Sequence, residues 1–341
     1  MKKTLIASAV AAATLSTGAM AMDQATQLAE RLDSMPEFYG NIQLAHGSTT
    51  TDNGTTETST NEMFDNGSTI GVKHDHAISD GLTGFFKAEF HFDADGSKYH
   101  NDGGNSANQS LGEELDEAYI GVKGDFGSIQ VGADDTVYEW VDMMDSGEAF
   151  YIEGGISVDT DTTEGDNIQY VSPQIADGLK VGLTYPVDSD TQFGGSLAAM
   201  YEMDNLSVAL GYSMGREENG TEAGDTIGLA GSFALDDLTL IAQYETRGET
   251  KVGGVDQSDD TTFWGLEGIY AMGQNQFILG YGMTTIDDAA DTETSAFELQ
   301  ALHNLSDHMY VYLEYVMSTT EATGSADVDV DALALGATYA F

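Results

Sequence analysis

The chain has 341 residues, with 58 acidic and 11 basic side chains, a formal net charge of −47, 41% hydrophobic residues and no cysteine. Without cysteine, neither a disulfide-held scaffold nor a thiolate metal site is available. The charge argues against nucleic acid as a partner, because phosphate contacts need clustered Lys and Arg.

The chain opens with Lys2 and Lys3, and residues 4–16 are apolar or small, Leu5, Ile6, Val10 and Leu15 among them. Ala19-Met20-Ala21 has the small-x-small form of a signal-peptidase site. Residues 1–21 are therefore predicted to be a cleavable export signal. Its apolar run is too short for a bilayer, which takes about 20 residues. What remains carries 9 basic against 58 acidic residues, a charge of −49. Salt shortens the range of such self-repulsion, so the charge predicts a salt-rich habitat. Residues 22–36 form a short segment in which Leu28, Leu32 and Met35 have helical spacing and Pro36 ends the pattern. It is too short for a coiled coil, which needs three or four heptads.

No run of 18 apolar residues follows, so no transmembrane helix is predicted. Segments rich in Asp, Glu, Ser, Thr, Asn and Gly lie at 50–65, 93–116, 134–166, 216–225, 248–260, 286–293 and 319–331. Between them, stretches of about ten residues carry apolar side chains at every second position, the period of a strand. Sixteen strands are predicted, at 38–46, 68–76, 82–92, 115–123, 128–134, 167–173, 179–186, 194–202, 206–215, 226–234, 238–247, 261–271, 276–285, 294–303, 309–318 and 332–341. Their connections alternate short and long. That alternation, with an even strand number, marks a bacterial transmembrane barrel. Sixteen strands enclose an aqueous channel, whereas about eight fill with side chains. The expected fold is all-β, a transmembrane antiparallel β-barrel over residues 37–341.

Alternation also assigns faces. In the third strand Leu82, Phe86, Ala88 and Phe90 share one face, and Lys87, Glu89 and His91 the other. A charge facing lipid at mid-depth costs about 2–4 kcal/mol, so the polar set is assigned to the lumen. In the eleventh strand the same logic sends Leu240 and Tyr244 to lipid, and Gln243 and Glu245 inward. Tyr119, Tyr170, Tyr185, Tyr201, Tyr212, Tyr244, Tyr270, Tyr281, Tyr310, Tyr312, Tyr315 and Tyr339 are candidates for interfacial girdles.

The run Glu117-Ala118-Tyr119-Ile120-Gly121-Val122-Lys123-Gly124-Asp125-Phe126-Gly127-Ser128-Ile129-Gln130-Val131-Gly132 resembles the fourth-to-fifth strand hairpin of Gram-negative general porins. Asp166-Asn167-Ile168-Gln169-Tyr170-Val171-Ser172-Pro173 resembles that family's sixth strand, and Phe38-Tyr39-Gly40 its opening strand. Gly336-Ala337-Thr338-Tyr339-Ala340-Phe341 is similar to its terminal assembly signal. The resemblance covers nearly all of the chain beyond residue 21. It implies homotrimers of sixteen-stranded barrels in the outer membrane, among lipid and lipopolysaccharide. It also implies insertion by the barrel-assembly machinery through Phe341, and a pore narrowed by an inward-folded third loop.

That loop, residues 135–165, offers Glu139, Asp142, Asp145, Glu148 and Glu153 as constriction candidates. Lys73, Lys87, Lys123, Gln130 and Asp134 are candidates for the facing wall. Members of the family often carry an arginine directly after the glycine of the fifth strand. Here Ala133 stands there, followed by Asp134 and Asp135, so the basic half of the constriction is depleted and cation preference is expected. His74 and His76 share one strand face and could share a metal, but with no third ligand evident they are read as lumen-facing polar residues. Residues 159–166 show part of a calcium-loop pattern without its closing Glu. No catalytic or phosphate-loop motif occurs, so neither an enzyme nor a cofactor is expected. A substrate-specific channel and a structural or adhesion barrel are the alternatives to a general diffusion pore.

Overall fold

The computed structural model describes residues 35–96, 114–144, 147–150, 165–187, 194–215, 217–218, 221–258, 260–288 and 290–341. The predicted export signal, most of residues 22–36, Asp145, Glu153 and the partial calcium-loop pattern at 159–164 lie outside them.

Sixteen antiparallel strand positions close into a barrel. They are β1 (Glu37–Asp52), β2 (in two segments, Glu57–Asp65 and Thr69–Ser79), β3 (Leu82–His91), β4 (Glu114–Gly124), β5 (Gly127–Ala133), β6 (Asn167–Val171), β7 (Leu179–Pro186) and β8 (Gly195–Met203). The circuit continues through β9 (Leu206–Met214), β10 (Thr226–Leu235), β11 (Leu238–Arg247), β12 (Thr261–Met272), β13 (Asn275–Ile286), β14 (Thr292–Ser306), β15 (Met309–Glu321) and β16 (Val328–Ala340). Each strand pairs with the next, and β16 returns to β1 in a ladder from Asn41↔Ala340 to Asp52↔Asp329. Closure leaves no unpaired edge, which a bilayer requires because lipid offers no hydrogen bonds.

β2 is two segments because the chain kinks at Asn66-Gly67-Ser68. Gln43 of β1 spans the kink: its backbone N–H donates to Ser68 Oγ (2.9 Å) and its side-chain amide to the Gly67 carbonyl (2.9 Å). Above the kink β1 pairs with the first segment, and below it with the second. The acidic stretch 50–65, expected as a loop, is therefore mostly strand, turning only around Asn53 and Gly54. Thr-rich sequence masked the ladder, since polar residues suit a strand that extends beyond the bilayer. Two more expected loops are also ordered. Short strands Glu217–Glu218, Thr221–Glu222, Thr250–Val252 and Val255–Ser258 form a four-stranded sheet joining the β9–β10 and β11–β12 connections.

At the opposite end the turns are tight. Asp204-Asn205, Asp236-Asp237 and Gly273-Gln274 each join two strands directly, with Asp204, Asp236 and Gly273 at positive φ. Gly and short polar residues tolerate that conformation best.

The molecule is apolar outside and polar inside. Leu197, Leu210, Leu229, Leu266, Leu279, Leu313 and Leu335 are exposed on the outer wall, while Gln243, Glu245, Glu267, Glu298, Gln300 and Glu314 are buried within. A soluble protein does not expose so continuous an apolar surface. The girdle tyrosines divide. Tyr185, Tyr244, Tyr270 and Tyr339 are exposed on the outer wall, with Trp264 beside Tyr281. Tyr119, Tyr310 and Tyr312 instead lie inward: Tyr119 shares a face with Lys123, and Tyr312 is buried with Ala45, Leu302 and Ala334. Alternation along β4 and β15 holds them there. The expectation for His74 and His76 is also corrected. They lie on the outward row with Ile70 and Val72, because Thr69, Gly71, Lys73 and Asp75 occupy the inward one.

Candidate functional site

In its described residues 134–144 and 147–150 the third long connection runs along the inner wall. Gly132 starts it. Its φ is 143°, and a Cβ there would stand 2.1 Å from the Ala118 carbonyl oxygen. Ala133 pairs with Ala118 in the outward row, so the first charges after β5 are Asp134 and Asp135. A 3₁₀ turn, Val137–Val141, follows, capped by Thr136. Val137, Tyr138 and Val141 are buried against the wall. The wall has glycine where they touch it. A Cβ on Gly182 would stand 2.6 Å from Val137, and one on Gly211 or Gly228 would stand 2.6 or 2.5 Å from Val141. Gly265 does the same for Met144, at 2.6 Å. Four strands thus give up a side chain so that the loop can lie flat.

Polar groups fix it in place. The Thr184 hydroxyl accepts the Val137 N–H (3.0 Å), and the Tyr138 hydroxyl donates to Glu245 (2.5 Å). Gln243 Oε1 accepts the N–H groups of Met143 (3.0 Å) and Met144 (3.1 Å). Farther on, the Glu314 carboxylate accepts three successive backbone amides: Glu148 (2.8 Å), Ala149 (3.0 Å) and Phe150 (2.6 Å). Glu314 is 0% exposed and also receives the Gln300 side-chain amide at 3.2 Å. Asn66, turned inward by the kink in β2, donates to the Glu148 carbonyl and to the Tyr312 hydroxyl.

These contacts place the loop candidates. Asp142 receives the Gln243 amide at 3.4 Å. Glu148 receives the Tyr310 hydroxyl at 2.9 Å. Burial raises the Glu148 carboxyl above the usual range, and the Glu314 charge adds to this against the Tyr310 hydrogen bond. Glu139 lies half-buried on the 3₁₀ turn. Gln243, Glu245 and Glu314, which anchor the loop, escape a reading of loop sequence alone. Their signal in the sequence is a Glu or Gln at an inward position of β11 and β15.

The wall formed by β1–β5 carries the other candidates on its inward row. Lys87 Nζ lies 2.6 Å from Glu117 and 4.0 Å from Glu89, and 6.0 Å from the Tyr39 ring centre. Lys73 lies 3.9 Å from Glu37 and 4.8 Å from the Tyr39 ring. Lys123 lies 2.7 Å from Asp75 and 5.3 Å from the Phe85 ring. Lys180, on β7, repeats the arrangement with Glu202 at 3.4 Å and Trp140 at 5.2 Å. Each ammonium is held by at least one carboxylate and one aromatic face, both of which attract cations. Gln130 donates to Asp134 at the root of the loop. Burial there, with the nearby Glu117 charge, pushes the Asp134 carboxyl up to about 6.

A profile of the Gram-negative porin family matches residues 7–324. The chain belongs to that family. The porin is 32% identical over 400 residues, all of both chains, to a monosaccharide porin of a Halomonas species, and equally to the major outer membrane protein of Halomonas elongata. Halomonas is a salt-adapted genus, in keeping with the habitat that the charge predicts. Among solved structures, the anion-selective porin of Comamonas acidovorans superposes with a TM-score of 0.73 at 16% identity, over 90% of this chain and 99% of that one. The porin is an outer-membrane channel and not an enzyme.

Proposed function

We propose that this porin is a general diffusion pore for ions and small hydrophilic solutes that prefers cations. One observation carries the preference: every lysine on the described lumen wall is already matched by its own carboxylate. Lys73, Lys87, Lys123 and Lys180 therefore add no net positive field, while Asp134, Asp135, Glu139, Asp142 and Glu148 sit on the loop that packs against the inner wall. Acids lining a low-dielectric passage concentrate cations and repel anions. The Comamonas porin is named for the opposite selectivity on the same fold, so lining residues decide the sign. Asp145 and Glu153 belong to the same proposal through their place in the loop. A reversal potential across a planar bilayer in a KCl gradient tests it. A cation-selective value is expected, and an anion-selective one overturns the reading.

The name of the Halomonas relative favours a second reading, a pore adapted to monosaccharides. Liposome swelling separates the two. Rates that fall smoothly with solute size indicate general diffusion, and saturation by one sugar indicates a specific site.

The porin is further proposed to be exported by the signal in residues 1–21 and inserted among lipid and lipopolysaccharide by the assembly machinery through Phe341. It is proposed to function as a homotrimer. Supporting the trimer, outward Tyr and Trp mark β6–β9, β11–β13, β15 and β16, for example Tyr185, Trp264 and Tyr339. Among the described residues none faces outward on β1–β5, which presents Phe38, Ile42, Ile70, Phe90, Ile120 and Val131 instead. Interfacial aromatics anchor a wall to lipid headgroups, and their absence fits a sector covered by other copies.

A further inference from the structure

The outward row of β2 reads Ile70, Val72, His74, His76, Ile78. Two imidazoles thus interrupt an apolar row near the turn into β3. His74 stands opposite Phe86, and His76 opposite Gly84. The two imidazole rings are 6.1 Å apart at 31° to one another, and the Phe86 ring is 6.4 Å from His74. Those rings are their neighbours. The nearest charged groups on β2 and β3, Lys73, Asp75 and Lys87, point to the lumen, and the first two are engaged with Glu37 and Lys123. Among the described residues three other histidines have conventional polar partners: His91 with Asp116, His303 with Asn275, and His308 with the Ala340 carbonyl.

A polar group in an apolar band is costly unless something satisfies it. Alternate residues of a strand point the same way, so His74 and His76 offer two imidazoles on one face, and with the ring centres 6.1 Å apart a rotation of the side chains brings one nitrogen of each onto a single ion. Imidazole suits Zn²⁺, Cu²⁺ and Ni²⁺, whereas Mg²⁺ and Ca²⁺ take oxygen ligands. We propose that His74 and His76 form a chelating site for a divalent transition-metal ion on the outward face of β2. Two protein ligands leave the remaining coordination positions to water or to a second copy of the chain. Only that last possibility rests on the trimer reading; binding by the pair does not.

The test uses the full-length protein extracted from membranes in detergent and stripped with EDTA. It is equilibrated with Zn²⁺ or Ni²⁺ in excess Mg²⁺, which occupies the loop carboxylates, then desalted and analysed for bound metal, with affinity measured by calorimetry. Wild type is expected to retain the ion. His74→Asn and His76→Asn should each weaken binding at least about tenfold, the equivalent of 1.4 kcal/mol. His46→Asn, an outward histidine on β1, should leave binding unchanged. Heat-dependent gel migration and conductance establish that each variant is folded. Binding that is equal in wild type and both variants, or absent from wild type, overturns the site.

Discussion

Asp134 is the residue whose protonation matters most at neutral to mildly acid pH. Its carboxyl is held at about 6 by burial and by the Glu117 charge. The folded chain binds this proton more tightly than the unfolded one. The group therefore opposes folding in full above that pH, progressively less as pH falls below it, and not at all once pH is under the ordinary Asp value of about 3.9. In the folded chain its charge at the root of the third loop disappears as pH falls through about 6. Cation preference is expected to weaken as pH drops from 7 to 5, in a step that Asp134→Asn removes. Reversal potentials against pH check both. Glu314 is the other decisive side chain. In Glu314→Gln one acceptor oxygen becomes a donor, leaving at least one of the amides of Glu148, Ala149 and Phe150 unpaired at about 1–3 kcal/mol. Single-channel records should then fluctuate between levels where the wild type is steady, and a steady record would refute the anchoring role. Neither property was legible in the sequence. The acids of the loop could be counted, but Asp142 and Glu148 turn out to be hydrogen-bonded to Gln243 and Tyr310. Only distance reveals such partners, which lie about a hundred residues or more away in the chain.

Among the elements, strands were the most legible part. Leu240 and Tyr244 alternate with Gln243 and Glu245 because one wall meets lipid and the other water, and that contrast is written in residue type. Loops were less so. The stretch 50–65 reads as loop because its side chains are polar, yet it pairs with β1 and β16 above the bilayer, where polar strands are at home. His74 and His76 read as lumen residues for a related reason: polarity points to the lumen, while the register of Gly71 and Lys73 decides the face. The third loop depends on the wall beneath it. Gly228→Val would place a side chain where Val141 and Tyr138 already stand, an overpacking that costs about 1–3 kcal/mol. The loop is expected to shift toward the lumen axis and lower the unit conductance. Gly231→Val, on the same strand with no neighbour closer than 3.4 Å, should leave conductance unchanged.

For the whole molecule, the formal charge of −47 sets the conditions of stability. The Debye length is about 30 Å at 0.01 M salt and about 3 Å at 1 M, so repulsion among external loops spans the barrel mouth in dilute buffer and little more than a contact in brine. The temperature of heat-induced unfolding should rise steeply between these concentrations, measured by the mobility shift on gels. An unchanged temperature would mean that ion pairs within the loops already neutralise one another. The glycines beneath the third loop have a wider consequence. Gly182, Gly211, Gly228 and Gly265 form a recess in a wall whose circumference is fixed by sixteen strands. The bore of the channel is thereby separated from the size of the cylinder. A descendant could widen or narrow its passage by filling or deepening that recess, one residue at a time, while the surface seen by the membrane stayed the same.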